Sequence, residues 1–299
     1  MKNIKLEDII SGQCYHVCTD GQESPVIMRE EEDYRIAHNY IAICSWITEV
    51  EILAYSIMSN HIHAAIVCMN RKKAEQFIRL FKQLYSRYLR NKYDIEDALH
   101  KIKDSISIIN DIQYLRNCIA YILRNPICAK VCRRIEDYEW SSQSCYFNRD
   151  DSKGIPVSAL GIREGRRILK TRYDLKKCPL LIDENQKITG KSFIKYDIVE
   201  AIYQNSGRYF LYFLGTCNDT RMEYEMACKP LLKMNDTDLM EIAEKLSISR
   251  FNGKSISELS SQNKCSIIKH LYFNNKTSIP QLARVLGLPT KLITSILRS

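Results

Sequence analysis

No apolar run in this chain approaches the roughly 20 residues that a membrane-spanning helix needs, so no membrane contact is expected. The opening Met-Lys-Asn-Ile-Lys-Leu-Glu-Asp is charged and lacks the apolar centre of a signal peptide. No CxxC pair occurs among the 12 cysteines; Cys14/Cys18 and Cys128/Cys132 are each four apart. These absences point to a reducing cytoplasm in which the cysteines are mostly buried thiols. A zinc site drawing on Cys128 and Cys132 is the weaker alternative.

What is present is basic and rich in tyrosine. The 299 residues carry a net charge of +9, and hydrophobic residues make up 45%. That length suffices for two domains, or for one domain with a substantial appendage. A basic surface favours a polyanion over an acidic partner. Tyrosines (18) outnumber phenylalanines (8), which suits stacking on nucleobases and equally suits a bias of composition.

The pattern of apolar residues sets the element order. Residues 13–19 alternate as a strand, and Asp20-Gly21 breaks it. Ile36, Tyr40, Ile43 and Ile47 recur at helical spacing. Residues 50–58 read as a second strand, turning at Ser59-Asn60 into a third at 61–68. A long helix runs from Asn70 to about Asn91, with Phe77, Leu80, Phe81, Leu84, Tyr88 and Leu89 as its apolar stripe. Residues 94–109 follow no clear period. Residues 111–124 form a helix buried through Ile112, Leu115, Ile119 and Ile122, and Asn125-Pro126 is expected to end it. Strand, helix, strand, strand, helix, helix suits an α+β fold with an antiparallel sheet covered by helices on one face.

A polar run at 148–154 marks a domain boundary. The expected organisation is 1–150, a helical connecting region at 151–230 and an all-α region at 231–299. Ser278 and Pro280 suit the start of a helix, Gly287 its end, and a second helix begins near Pro289. Ala283 is small enough to let the two cross closely. This is a helix-turn-helix pattern, with Arg284 and Lys291 as candidate DNA contacts.

The chemistry centres on His61 and His63. Residues i and i+2 of a strand share a face, so the two imidazoles are spaced to share a divalent metal. The helix 111–124 carries Tyr121, with Asn125 one turn later on the same face. Tyr114 and Asn117 lie on roughly that face too, opposite Ile119 and Ile122. If this helix crosses the histidine strand, a phenol and a carboxamide oxygen approach two imidazoles. The ligands then leave open positions for a phosphate.

These motifs resemble a known family. Asn60-His61-Ile62-His63 resembles the His-hydrophobic-His signature of the HUH single-tyrosine transposases. Tyr121-Ile122-Leu123-Arg124-Asn125-Pro126 is similar to the second signature of their REP-associated branch, and Trp140-Ser141-Ser142 to a third. Tyr15-His16-Val17, Asp20-Gly21 and Met58 also fit. The resemblance covers roughly residues 10–145. It implies a ferredoxin-like sheet, Mg²⁺ or Mn²⁺ held by His61, His63 and Asn125, and Tyr121 as the nucleophile. It further implies cleavage and rejoining of single-stranded DNA beside a hairpin through a 5′-phosphotyrosine. A transposase or domesticated transposase of this kind would be nucleoid-associated and compatible with a homodimer. The C-terminal region is weakly similar to the helix-turn-helix domain of the bacterial replication initiator, which implies duplex contact. The sequence departs from the family pattern at Ser59, where relatives carry proline, and at 103–107, where Lys-Asp-Ser-Ile-Ser replaces a glycine-aromatic-Gln-Arg stretch.

The basic residues Arg71, Lys72, Lys73, Lys82, Arg87 and Arg90 are candidates to track the DNA backbone. A solvated basic helix face is the plainer explanation for them. Two other functions compete with the leading one. The chain would then be a sequence-specific DNA-binding regulator derived from a transposase, with weak or lost catalysis, or a metal-dependent hydrolase unrelated to DNA.

Overall fold

The computed structural model describes residues 6–20, 24–96, 99, 102–148, 154–216, 235–274, 277 and 279–298. The expected boundary run 148–154, the break at Gly21 and the cap at Ser278 lie wholly or largely outside the described residues.

Four strands make the central sheet: β1 (Gln13–Thr19), β2 (Glu51–Ile57), β3 (Ile62–Cys68) and β4 (Asp104–Ile109). Their order is β2-β3-β1-β4, and every neighbouring pair is antiparallel. With helices α1 (Glu31–Thr48) and α2 (Arg71–Tyr93) as connections, this is the ferredoxin-like arrangement. Strand β4 fills the stretch that showed no clear period. It is an edge strand of Asp, Ser and Ile, only partly buried, so its alternation is weak in hydropathy.

Local signals start the helices where the fold needs them. Glu30 and Asp33 form a reciprocal cap on α1. The Asn70 side chain accepts from the Lys73 N–H to begin α2, and Asp111 accepts from the Tyr114 N–H to begin α3 (Ile112–Cys128).

Register decides which helix meets which face. Val17, Ala64 and Tyr55 align on one face, and Tyr55 hydrogen-bonds His38 of α1 there. Helices α1 and α2 cover this face together, with Tyr40 of α1 edge-on to Tyr85 of α2. His16, Ala65 and Ala54 align on the opposite face, as do Cys18, His63 and Ser56. Helix α3 lies on that second face, where the small residues leave room for it. Helices therefore cover both faces of the sheet, where the element order suggested one. Two helices already occupy the width of the first face, and α3 leaves β4 at the sheet edge with the second face still open.

Helix α3 also runs past the expected stop. Pro126 sits in its last turn and is buried, and the helix closes at Cys128. A proline there removes one backbone hydrogen bond near an end that was about to open anyway.

The core continues beyond residue 150. Helices α4 (Ile162–Leu169), α5 (Tyr196–Ile202) and α6 (Gly207–Thr216) contribute Ile168, Leu169, Val199, Ile202, Phe210 and Leu214 to the same apolar cluster as the sheet. Asn39 and His38 of α1 fasten the 186–188 segment by hydrogen bonds to its backbone. The exposed edge of β2 is covered in the same way. Ser141 bridges to Ser56, the Ile57 N–H donates to the Trp140 carbonyl, and the Lys195 N–H donates to Ile52.

A second apolar cluster is built by α7 (Asp236–Arg250), α8 (Ser261–Asn274), α9 (Ile279–Leu286) and α10 (Thr290–Arg298). Its centre is Leu239, Ala243, Ile268, Leu271, Leu282 and Ile293. Gly287 takes φ +63° between α9 and α10, a left-handed conformation that glycine adopts without strain. No described helix is long and apolar enough to cross a membrane.

Candidate active site

Four side chains, from β1, β3, α3 and the residue just before β3, meet on the α3 face of the sheet. His63 stands on β3 opposite Cys18 of β1, and His16 lies two residues back on β1. The rings of His16 and His63 are nearly parallel (7°), with His16 Nε2 3.1 Å from His63 Nδ1. His61 immediately precedes β3 rather than lying within it. Its ring is still edge-on to His63, with centroids 4.9 Å apart. Tyr121 reaches down from α3 with its ring edge-on to both His63 (5.6 Å) and His16 (6.3 Å).

This placement differs from an exposed face of α3. Residues 118–123 are all buried, Tyr121 included at 8% exposure. The helix is wedged between the sheet and α5–α6. Arg116 donates to the Ile202 carbonyl, Tyr203 donates to that of Arg116, and Arg124 donates to that of Leu214. Asn125 donates its side-chain N–H to the Tyr121 carbonyl at 3.0 Å, one turn back. Its Oδ1 is the atom it offers to a ligand.

Burial keeps the imidazoles neutral. It depresses His16 to about 4 and His61 to about 4, with the Arg284 guanidinium a smaller cause for His61. His63 is pushed well below the ordinary value by burial and then by the neighbouring histidines. A neutral imidazole is the metal-binding form. Burial also raises the Cys18 thiol to about 12, so it is protonated without a metal.

The donor chemistry fits a divalent cation. His61 Nδ1 donates to Asn60 Oδ1 at 2.7 Å, which leaves Nε2 as the ligand atom. His16 Nδ1 is buried with no hydrogen-bond partner among the described residues, and in the Nε2–H tautomer it would offer a lone pair to a metal. His16, Cys18 and His63 present ligand atoms all within 4.8 Å of one another. Sequence reasoning missed His16 and Cys18 as site residues. Their alternation along β1 placed them on one face, but only the β1–β3 register joins that face to His63. Cys128 and Cys132 are partly buried, form no disulfide and belong to no metal-capable cluster among the described residues.

The cationic candidates are dispersed. Helix α2 lies on the sheet face opposite Tyr121. Arg71 pairs with Glu75 and the Ile106 carbonyl, Lys73 with Glu49, and Lys82 with Asp104. Lys72, Arg87 and Arg90 are exposed, as is Lys291 on α10. Arg284 is nearly buried and bound to Asp236 and the Ser24 carbonyl.

Residues 11–105 match the family model described as "Transposase IS200 like". About a third of the chain is thus similar to the IS200-like transposases. The matched residues include His16, Cys18, His61 and His63, and they end before Tyr121 and Asn125. One solved structure, titled "Structure of the REP associates tyrosine transposase bound to a REP hairpin", is similar to the chain at 13% identity and a TM-score of 0.36. The match covers 47% of this chain and 82% of that one. No curated protein matches the chain.

Proposed function

We propose that the protein cleaves and rejoins single-stranded DNA through Tyr121, as a transposase or domesticated transposase acting on hairpin-associated sites. The observation that carries this reading is the ring of Tyr121 set edge-on against His63, beside His61, in a chain whose residues 11–105 match the IS200-like transposase model.

His61, His63 and Asn125 would hold Mg²⁺ or Mn²⁺, with His16 and Cys18 adjoining. Bound there, the cation would neutralise charge developing on the scissile phosphate. The protein's own residues do the rest. Tyr121 Oη attacks phosphorus, the P–O3′ bond breaks, and the departing 3′ oxygen takes up a proton. The products are a 5′-phosphotyrosine and a free 3′-OH. The new ester retains the phosphodiester's energy, so the reverse attack reseals the strand without ATP. The surrounding histidines are neutral and can orient the phenol without charging the pocket. Lys72, Arg87, Arg90 and Lys291 are the exposed cations available for DNA backbone contact.

The test is covalent capture of a labelled single-stranded hairpin in Mg²⁺ or Mn²⁺. The unaltered chain should form an adduct that survives denaturation. Tyr121→Phe should abolish the adduct and leave binding intact. Binding with no adduct from the unaltered chain would refute the enzymatic reading in favour of a DNA-binding regulator.

A further inference from the structure

A chain of polar contacts runs from the C-terminal helices to His61. Arg284 of α9 donates from Nη1 to the Ser24 carbonyl. Asn60 donates from Nδ2 to that same carbonyl at 3.2 Å. Asn60 then presents Oδ1 to His61 Nδ1 at 2.7 Å. The carbonyl's two lone pairs are thereby shared between the C-terminal region and the histidine loop. We propose that Arg284 is a positioning residue for His61: through Ser24 and Asn60 it fixes the ring so that Nε2 faces a divalent cation. This inference rests on the proposed metal site.

Three observations favour positioning over a generic domain contact. First, Asn60 has to choose which end of its amide meets His61. Its amide nitrogen is committed to Ser24, so its oxygen is the end left for the ring. The ring must then donate from Nδ1, which selects the Nε2 ligand form. Second, Arg284 is itself held rigidly. Asp236 takes Nε at 2.8 Å and Nη2 at 3.1 Å as a two-point pair, and Gln281 adds a donor to the same carboxylate at 3.2 Å. The carboxylate also balances the guanidinium, so the cation's approach to His61 is not opposed by a bare positive charge. Third, separate backbone hydrogen bonds set the path of the loop. Ile27 and Met28 donate N–H groups to the Ser59 carbonyl, each at 2.9 Å. Those bonds set the loop's path, while the Asn60 amide meets the Ser24 carbonyl and the His61 ring.

The C-terminal region has other ties to the core. Asn235 donates to the Cys128 carbonyl, Thr237 to that of Ala129, and Lys130 pairs with Asp238 and Glu241. They provide the control, because none of them touches the Ser24–Asn60–His61 chain.

The experiment is a Mn²⁺ titration of the full chain by calorimetry, with ¹⁵N spectra of the His61 ring in the metal-free protein. Arg284→Met keeps the aliphatic stem and removes the donors. It should weaken Mn²⁺ binding about tenfold, the lower end of the loss seen when an outer partner of a metal-bound histidine is removed. The His61 ring should shift from the Nδ1–H tautomer to a mixture. Arg284→Lys, which retains a donor, should recover most of the affinity. Lys130→Gln should leave both readouts unchanged. Asn60→Leu should reproduce the Arg284→Met result even if that variant fails to fold. Unchanged or tighter Mn²⁺ binding in Arg284→Met, or an unchanged His61 tautomer, overturns the inference alone. Failure of Mn²⁺ to bind the unaltered chain overturns the proposed metal site and the inference with it.

Discussion

His38 offers a direct measure of how firmly the segment beyond residue 150 is built onto the sheet domain. Its ring is fully buried between α1 and the 186–188 segment. Nε2 meets the Ile188 carbonyl at 2.6 Å and Nδ1 meets the Tyr55 hydroxyl at 2.8 Å. A carbonyl only accepts, so Nε2 carries the proton and Nδ1 accepts from Tyr55. Burial, with a smaller contribution from Lys187, lowers the ring to about 3 from an ordinary 6.5. The unfolded chain therefore binds a proton that the folded chain refuses as pH falls below 6.5. The stability His38 contributes is present above the unfolded value and is lost as pH falls towards the folded one. Between about pH 8 and about pH 5 this one ring should cost about 2 kcal/mol. Gln at this position keeps one donor and one acceptor and does not titrate. Urea unfolding of the unaltered chain and of His38→Gln at both pH values isolates the term, because every other titrating group cancels in the difference. The unaltered chain should lose about 2 kcal/mol more than the variant. Equal losses in the two proteins would refute the buried, neutral assignment of His38.

Other outcomes follow from the same structure. Because burial holds His16 and His61 at about 4, protons should compete with Mn²⁺ only in the acid range, and affinity should stay level from about pH 7.5 to about pH 5.5. A fall centred at the ordinary histidine value would contradict this. Ala65→Leu inserts a branched side chain between the sheet and α3, and should cost about 1–3 kcal/mol in thermal melts while displacing Tyr121. A chain ending at 216 retains the residues of the first apolar cluster and should melt cooperatively while losing retention on duplex DNA. A chain ending at 150 strips that cluster and should not melt cooperatively; a sharp transition there would show that residues 157–214 are not part of the core.

Much of the first half was legible because its signals are local. Alternation marked β1, the spacing of Phe77, Leu80, Phe81 and Leu84 marked α2, and the turn at Ser59-Asn60 marked the β2–β3 hairpin. Strand β4 escaped because an edge strand needs apolar residues on one side only, and polar residues interrupt both of its sides, Asp104 beside Ile106 and Ile108, and Ser105 and Ser107 beside Ile109. The boundary at 148–154 misled in one respect. A polar linker shows that the chain crosses the surface, not that the next segment has a core of its own. Residues 157–214 are short helices and turns that bury apolar groups against α1 and α3.

The candidate site divides in the same way. His61, His63, Tyr121 and Asn125 stand out as candidates from residue type and spacing, because a short motif carries both on its own, and their roles belong to the proposed function. The local chain also determined the strand hairpin, the caps of α1, α2 and α3, and the glycine turn between α9 and α10. Only the tertiary structure decided that α3 crosses the face bearing His16 and His63, since register and the small residues Ala54, Ser56 and Ala65 act across strands far apart in sequence. The same holds for Cys18 beside His63 and for Arg284 bound to Ser24, 260 residues away. Those contacts depend on which surfaces remain to be buried once the elements exist, and no local pattern of residues encodes that.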